Sequence, residues 1–346
     1  MTGSATKPWT RVTMADVARE ARVSGATVSR VLEGVVPVTE ETRAAVIAAI
    51  QRTGYIRNWA ARQLASNTSD SVGLLLRDPR NPTYGVLHSE LQSRAADHGL
   101  QLLTVSPSFD TGSRHERSGL HRLLEQRVSG ILVATGVIPA NDLVPFVSVV
   151  PTVVLGRPED HPAINAVVYD EVSNGNLIAD RVLEHGHRAI AVVVPPPTVS
   201  LGENRRATAI VARLAVAGVR AIVVATPTFA TLNESSPALI RLVRDRTVTA
   251  VMFPTDMRQV AFLQDARDAG IRAPEEVSTT GMDGVMPGLG LLGLATVRMP
   301  IETLARRGMA ILAEQIAAGR PTPPLHESYA GEFVPGNSLR RSGVLV

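Results

Sequence analysis

The chain has 346 residues, 45% of them apolar, and no cysteine. That length suits a small module joined to one or two α/β lobes with a sizeable core. Disulfides and thiolate chemistry are excluded, and the cytoplasm is the expected compartment. No apolar run approaches the ~20 residues of a membrane span, and Met1–Thr10 lacks a signal-peptide core. The net charge of +3 is unevenly spread: residues 1–68 carry nine Lys/Arg against five Asp/Glu, and the remainder carries 26 against 27. A basic excess at one end is what phosphate binding requires.

Residues 1–11 are expected to be a disordered tail. From Val12, two short helical patterns follow, separated by a tight Arg22-Val23-Ser24 connection. Val17 and Ala21 mark the apolar face of the first, and Val28, Val31 and Leu32 that of the second. Ser24 is placed to cap the second helix. This is the pattern of a helix-turn-helix, whose second helix enters the major groove of double-stranded DNA. A third helix starts at Thr39-Glu40-Glu41-Thr42 and ends at Gly54, with Ala45, Val46, Ala49 and Ile50 facing inward. The headpiece therefore spans 12–57. Residues 58–70 form a hinge helix too short to be stable alone, followed by a polar linker.

From Val72 the pattern changes to βαβ alternation, which implies parallel sheets. Strands are expected at Val72–Leu76, Leu100–Val105, Gly130–Ala134 and Thr152–Leu155, with helices at Tyr84–His98 and Arg114–Gln126. After Asp170 the alternation restarts with helices Ser173–His185, Asn204–Ala217, Ser236–Asp245 and Gln259–Ala269. The strands between them are Ala189–Val194, Ala221–Ala225, Ala250–Phe253 and Val277–Gly281, and a late helix covers Ile301–Ala318. Two Rossmann-like lobes are the simplest reading of 71–346.

Across nearly its whole length the chain resembles the lactose-repressor (LacI) family of bacterial transcription regulators. The headpiece carries Val12-Thr13, Asp16-Val17-Ala18, Val23-Ser24, Thr27-Val28-Ser29-Arg30-Val31-Leu32, Thr42-Arg43, Gly54-Tyr55, Asn58, Ala61-Arg62 and Leu64. The core carries Asn81-Pro82, Leu124-Glu125-Gln126-Arg127-Val128, Gly186-His187-Arg188, Pro274-Glu275-Glu276-Val277-Ser278, Gly281-Met282-Asp283 and Thr296-Val297-Arg298-Met299-Pro300. The resemblance implies a core like the periplasmic sugar-binding proteins, with two lobes, three crossovers and a ligand cleft. Lobe one is expected at about 71–170 plus 297–326, and lobe two at about 171–296 plus 327–340. It also implies a homodimer on a pseudo-palindromic operator, with cleft occupancy altering operator affinity.

Arg30 suits a bidentate contact with guanine, and Gly25 and Ala26 occupy the family's base-reading positions. Thr13, Ser24, Thr27, Ser29, Thr39 and Thr42 can anchor phosphates or cap helices. The resemblance assigns Leu64 a minor-groove wedge flanked by Asn58 and Arg62. Four positions depart from the family: Arg22 stands at the usual turn glycine, Arg57 at the usual hinge proline, Glu33 at the usual asparagine, and Trp59 is unusual in the hinge.

For the cleft, motif position selects Asp78, Asn81 and Tyr84 on the first lobe and Arg206, Asp256 and Asp283 on the second. The ligand is expected to be a small polar metabolite, such as a sugar or sugar derivative. Here too the chain departs from the family. Thr83-Tyr84 replaces two aromatics, Thr255 replaces an asparagine, Gly284 replaces a second acid, and Pro195-Pro196-Pro197 replaces a glycine-rich turn. A constitutive DNA-binding regulator with a degenerate, ligand-free cleft is thus the alternative.

Gly288-Leu-Gly-Leu-Leu-Gly293 has dinucleotide-type glycine spacing but does not follow a strand directly. His185 and His187 straddle a helix-ending glycine rather than sharing a metal-facing side. No convergent acid, base and nucleophile set is present, so neither an enzyme, a cofactor nor a metal is expected.

Overall fold

The structure is a computed structural model and describes residues 12–34, 38–56, 69–107, 113–226 and 231–344. The expected tail, Arg57 and the hinge residues Asn58, Trp59, Arg62 and Leu64 lie outside the described residues. The chain divides into two compact units, residues 1–68 and 69–346.

In the first unit, α1 (Met14–Ala21), α2 (Gly25–Glu33) and α3 (Glu40–Thr53) close on Val17, Val28, Val31, Val46 and Ala49. Each helix begins at a hydroxyl cap. Thr13 and Asp16 form a reciprocal capping box, Ser24 accepts from Thr27 N, and Thr39 accepts from Thr42 N. Helices this short draw their stability from such caps and from the shared apolar seam.

The second unit contains two parallel sheets. In chain order its first lobe holds β1 (Ser71–Leu76), α4 (Pro82–Asp97), β2 (Gln101–Val105), α5 (Ser113–Glu125), β3 (Ile131–Ala134), α6 (Ala140–Val147), β4 (Thr152–Leu155) and β5 (Asn165–Tyr169). The second holds α7 (Glu171–Glu184), β6 (Ile190–Val194), α8 (Leu201–Val216), β7 (Ile222–Ala225), α9 (Ser236–Arg244), β8 (Ala250–Met252), α10 (Asp256–Asp268) and β9 (Ser278–Thr280). The chain then passes α11 (Leu289–Leu292), β10 (Thr296–Arg298), α12 (Ile301–Ala318), β11 (His326–Tyr329) and β12 (Glu332–Val334).

The first sheet has the order β11-β5-β4-β3-β1-β2 and the second β7-β6-β8-β9. β10 and β12 pair antiparallel, with single bridges from β10 and its preceding residue back to the Thr280–Asp283 segment. β11 keeps Glu327, Ser328 and Tyr329 in the first sheet. The last crossing therefore falls just before β12, rather than after residue 326. The strand order reverses between β1 and β3 in the first lobe and between β6 and β8 in the second. Ligands of open α/β sheets bind at such switch points, outside the strand carboxyl ends.

Continuous apolar runs in the central strands (Ser71–Leu76 and Ile131–Ala134 are buried throughout) reflect helices on both faces. One core cluster spans the inner layers of both lobes, and separate clusters cover the outer face of each sheet. The glycine-spaced segment is the four-residue α11, flanked by Gly288 and Gly293 in left-handed conformations. It is a capped turn, with no strand leading directly into it.

Candidate DNA-reading helix and interlobe cleft

On α2, Gly25, Ala26 and Arg30 are exposed, while Val28 and Val31 fill the headpiece core. The helix thus splits cleanly into a packed side and an open side. Among the described residues no carboxylate pairs with Arg30. The hydroxyls are engaged locally: Ser24 and Thr27 oxygens lie 2.9 Å apart, as do those of Thr39 and Thr42. Ser29 donates to Glu33 Oε1 at 2.6 Å, so this carboxylate is held along its own helix. Arg22 sits at φ 55°, ψ 41°, the left-handed geometry that a turn glycine would adopt without strain.

In the second unit, side chains from both lobes converge on one narrow space of about 60 Å³. Asn81 and Tyr84 follow β1, Thr135 and Gly136 follow β3, Gly156 and Arg157 follow β4, and Tyr169 ends β5. Opposite them stand Ser200, Gly202, Glu203 and Arg206 around the start of α8, with Thr255 and Asp283 beyond β8 and β9. Two hydrogen bonds tie the lobes across this space: Leu201 N donates to Gly136 O at 3.1 Å, and Arg77 donates to Val199 O.

Arg206 is the hub. Its Nε and Nη2 donate to the two carboxylate oxygens of Glu171 at 2.7 and 2.8 Å. Nη1 donates to Asp283 Oδ1 at 3.1 Å and to Pro254 O at 3.0 Å. Burial works against the Arg206 charge, and the surrounding carboxylates more than offset it, so the guanidinium stays protonated. Burial also raises the Glu171 carboxyl, against the pull of Arg206. Asp283 is pushed up to about 8 by burial, Arg206 again opposing and Asp256 and Glu203 adding to the rise. Its backbone stands at φ 114°, an uncommon geometry for a side-chain-bearing residue and a mark of sites where function outranks local comfort. The hydroxyl of Tyr84 is raised to about 12 by burial.

Four of the six sequence-selected residues, Asn81, Tyr84, Arg206 and Asp283, line this space. Asp78 does not: its Oδ1 accepts from Arg80 N and Nε, folding the carboxylate onto its own loop. Asp256 sits behind Asp283, where Oδ2 accepts from Gly284 N at 2.7 Å and burial raises its carboxyl to about 6. Asn81 also caps α4, its Oδ1 accepting from Thr83 N at 2.9 Å, which leaves its amide nitrogen outside the cap. Sequence reading missed Thr135, Arg157, Tyr169 and Glu203, although each lies at a strand's carboxyl end or in a helix's first turn. It also missed Glu171, which reaches Arg206 from a different helix 35 positions away. His187 is buried, held between Thr249 Oγ1 and Arg340 O at 2.8 Å each. Among the described residues no cluster of His, Cys, Asp and Glu could hold a metal ion, and no helix is long and apolar enough to cross a membrane.

A capped helix-turn-helix on one unit and a two-lobed parallel-sheet cleft on the other define a DNA-binding protein with a periplasmic-binding-protein-like core. The family model for bacterial regulatory proteins of the lacI family matches residues 13–58, and that for the periplasmic binding protein-like domain matches 179–339. The HTH-type transcriptional regulator GalR of Escherichia coli is 30% identical over 335 residues, covering 94% of this chain and 95% of its own. CelR of Thermobifida fusca is 30% identical over 328 residues, covering 91% and 94%. Among solved structures, the lac repressor dimer bound to operator and an anti-inducer superposes with TM-score 0.81 at 21% identity, covering 96% of this chain and all of that one. The CelR–cellobiose complex gives 0.65 at 26%, covering 95% and 100%. The chain belongs to the LacI family of bacterial regulatory proteins, a family of helix-turn-helix transcriptional regulators.

Proposed function

We propose that this protein is a cytoplasmic, sequence-specific repressor whose operator affinity responds to a small polar metabolite held between the core lobes. One observation carries the reading: an exposed Gly25-Ala26-Arg30 surface on α2 shares a chain with a cleft of convergent polar groups at two strand-order reversals. Gly25 and Ala26 let the helix approach base edges closely, and Arg30 supplies the fork that reads guanine. The hydroxyls of Thr13, Ser24, Thr27, Ser29, Thr39 and Thr42 place the headpiece on phosphates, while Thr13, Ser24 and Thr39 keep their cap bonds. Asn58, Arg62 and Leu64 enter the minor groove at the operator centre, as the family resemblance implies.

A two-fold operator requires a two-fold protein, and the lac repressor crystallised as a dimer on its operator supports the same assembly here. In the cleft, Asn81, Tyr84, Arg206 and Asp283 contact the ligand; CelR, which holds cellobiose in its complex, is the relevant relative. Asp78 and Asp256 act one layer behind, holding the loops that carry them.

Selection of randomised duplex DNA by the purified chain tests the first half of this reading. The expected product is a pseudo-palindrome with a preferred central step, and that central preference disappears with Leu64→Ala. Absence of any enriched site would overturn the regulator reading. Identical sites from both proteins would remove only the hinge wedge.

The narrowness of the cleft supports a second reading. About 60 Å³ is far below the roughly 300–1,000 Å³ of small-molecule sites, and Arg206 already donates to Glu171, Asp283 and Pro254 O. A constitutive regulator would have this cleft. Operator affinity unmoved by every metabolite class tested would select it.

A further inference from the structure

Glu171 occupies the place on Arg206 that an anionic ligand would take. Both of its oxygens face the guanidinium fork at 2.7 and 2.8 Å, and the side chains of the pair are 1% and 6% exposed. The arrangement depends on two glycines. A Cβ at Gly202 would stand 2.8 Å from Glu171 Oε1, and one at Gly175 would stand 2.6 Å from Arg206 O. Bulk at either position would disturb the contact, one directly and the other by separating the two helices that carry it.

With that fork closed, the remaining cleft chemistry is acidic. The other lining arginine, Arg157, donates to Glu159 Oε2 at 2.9 Å. Of the two lining acids, Asp283 spends Oδ1 on Arg206 and Glu203 spends Oε2 on Arg258, leaving each with a second oxygen. Counting the lining groups with their direct partners, three arginines (157, 206, 258) face four carboxyl groups (159, 171, 203, 283), of which Asp283, raised to about 8, is the one whose ionisation an entering cation would favour. The neighbouring Arg77 and Glu116 add one group of each sign. Tyr84 and Tyr169 line the same space, and aromatic rings favour a desolvated cation. A volume near 60 Å³ accommodates an ammonium head group, while a bulkier frame must part the Leu201–Gly136 and Arg77–Val199 ties.

We propose that Glu171 sets the ligand class: by occupying the Arg206 fork it leaves the cleft with spare carboxyl oxygens and no open guanidinium fork, so that it takes a hydroxyl-bearing amine and turns away carboxylates and phosphates. This rests on the effector reading above. An added carboxylate would meet no open guanidinium, and it would bring a further negative charge into a low-dielectric space. An amine instead donates to the spare oxygens of Asp283 and Glu203, and its charge favours the ionised form of Asp283.

The test uses the full-length protein and four hexoses differing mainly in charge: glucose, glucosamine, glucuronate and glucose 6-phosphate. Binding is read by calorimetry and by ligand-induced rise in Tm. Glucosamine is expected to bind at least tenfold tighter than glucose, with no detectable binding of the two anions. In Glu171→Gln the preference for glucosamine over glucuronate should shrink by tenfold or more. Glucuronate binding as tightly as glucosamine to the unaltered protein would overturn the inference and leave the effector reading standing. So would an unaltered preference in a folded Glu171→Gln. Failure of all four to bind would overturn this inference, while the effector reading stands or falls on operator affinity across the other metabolite classes.

Discussion

At residue scale, Arg22 and Arg30 show how position decides what an arginine does. Arg22 holds a left-handed backbone that costs a side-chain-bearing residue roughly 1–2 kcal/mol, whereas glycine adopts it freely but loses more chain entropy on folding. Arg22→Gly is therefore expected to stabilise the headpiece by a net of about 0.5–1 kcal/mol, measured by denaturation monitored on the headpiece. Arg30 faces outward from a helix whose other side is core. Arg30→Ala should cost ~1–3 kcal/mol at one base pair of the selected site and relax selection there. A uniform loss at all sequences would instead make it a phosphate contact. The caps were legible because a hydroxyl before a periodic apolar run has one strong local use. Glu171 was not, since its partner Arg206 is remote in sequence and no local pattern encodes the pairing.

Among the elements, α7 and α8 matter most to the cleft because one carries Glu171 and the other Arg206. They approach closely at Gly175, where a methyl group would stand 2.6 Å from Arg206 O and 2.8 Å from Ala209 Cβ. Backbone cannot yield as a flexible side chain does. Gly175→Ala should thus destabilise the chain by about 1–3 kcal/mol in urea denaturation and loosen the Glu171–Arg206 pair. Several helices start two or three residues before their apolar periodicity: α4 at Pro82, α8 at Leu201, α10 at Asp256. Their first turns start at Asn81, Ser200 and Thr255 caps and hold few apolar residues for a periodicity to reveal. β11 escaped sequence reading because His326-Glu-Ser-Tyr329 has no apolar run; it is an edge strand defined by pairing with β5. Pro145 inside α6 hid that helix, since proline normally ends one.

For the whole molecule, the end of the chain is fastened to the second lobe through His187. Arg340 O can only accept, so Nε2 carries a proton, and Nδ1 lies 2.8 Å from Thr249 Oγ1. Burial lowers this imidazole's pKa, so it is neutral when folded. Its stabilising contribution is complete above the unfolded value near 6.5 and is lost as pH falls below that value. Between pH 7.5 and 5.5 the wild-type Tm should therefore fall more steeply than that of His187→Gln. Equal slopes would remove His187 from the acid sensitivity. Asp283 has the opposite sign: with its folded value near 8, its contribution is greatest in acid and is lost as pH rises from about 4 through 8. Asp283→Asn should flatten the alkaline side of the same profile.

The amino-acid sequence by itself determined the helix-turn-helix, the two runs of βαβ alternation and the family, because these rest on local caps, short-range periodicity and ordered motifs. It also brought Asn81, Tyr84, Arg206 and Asp283 forward as cleft candidates through motif position. Only the tertiary structure decided that Asp78 folds onto its own loop, that Thr135, Arg157 and Tyr169 join the cleft, and that Glu171 closes the Arg206 fork. Those outcomes depend on which strand ends meet at the order reversals and how near two helices can approach. Such distances arise only when remote segments pack.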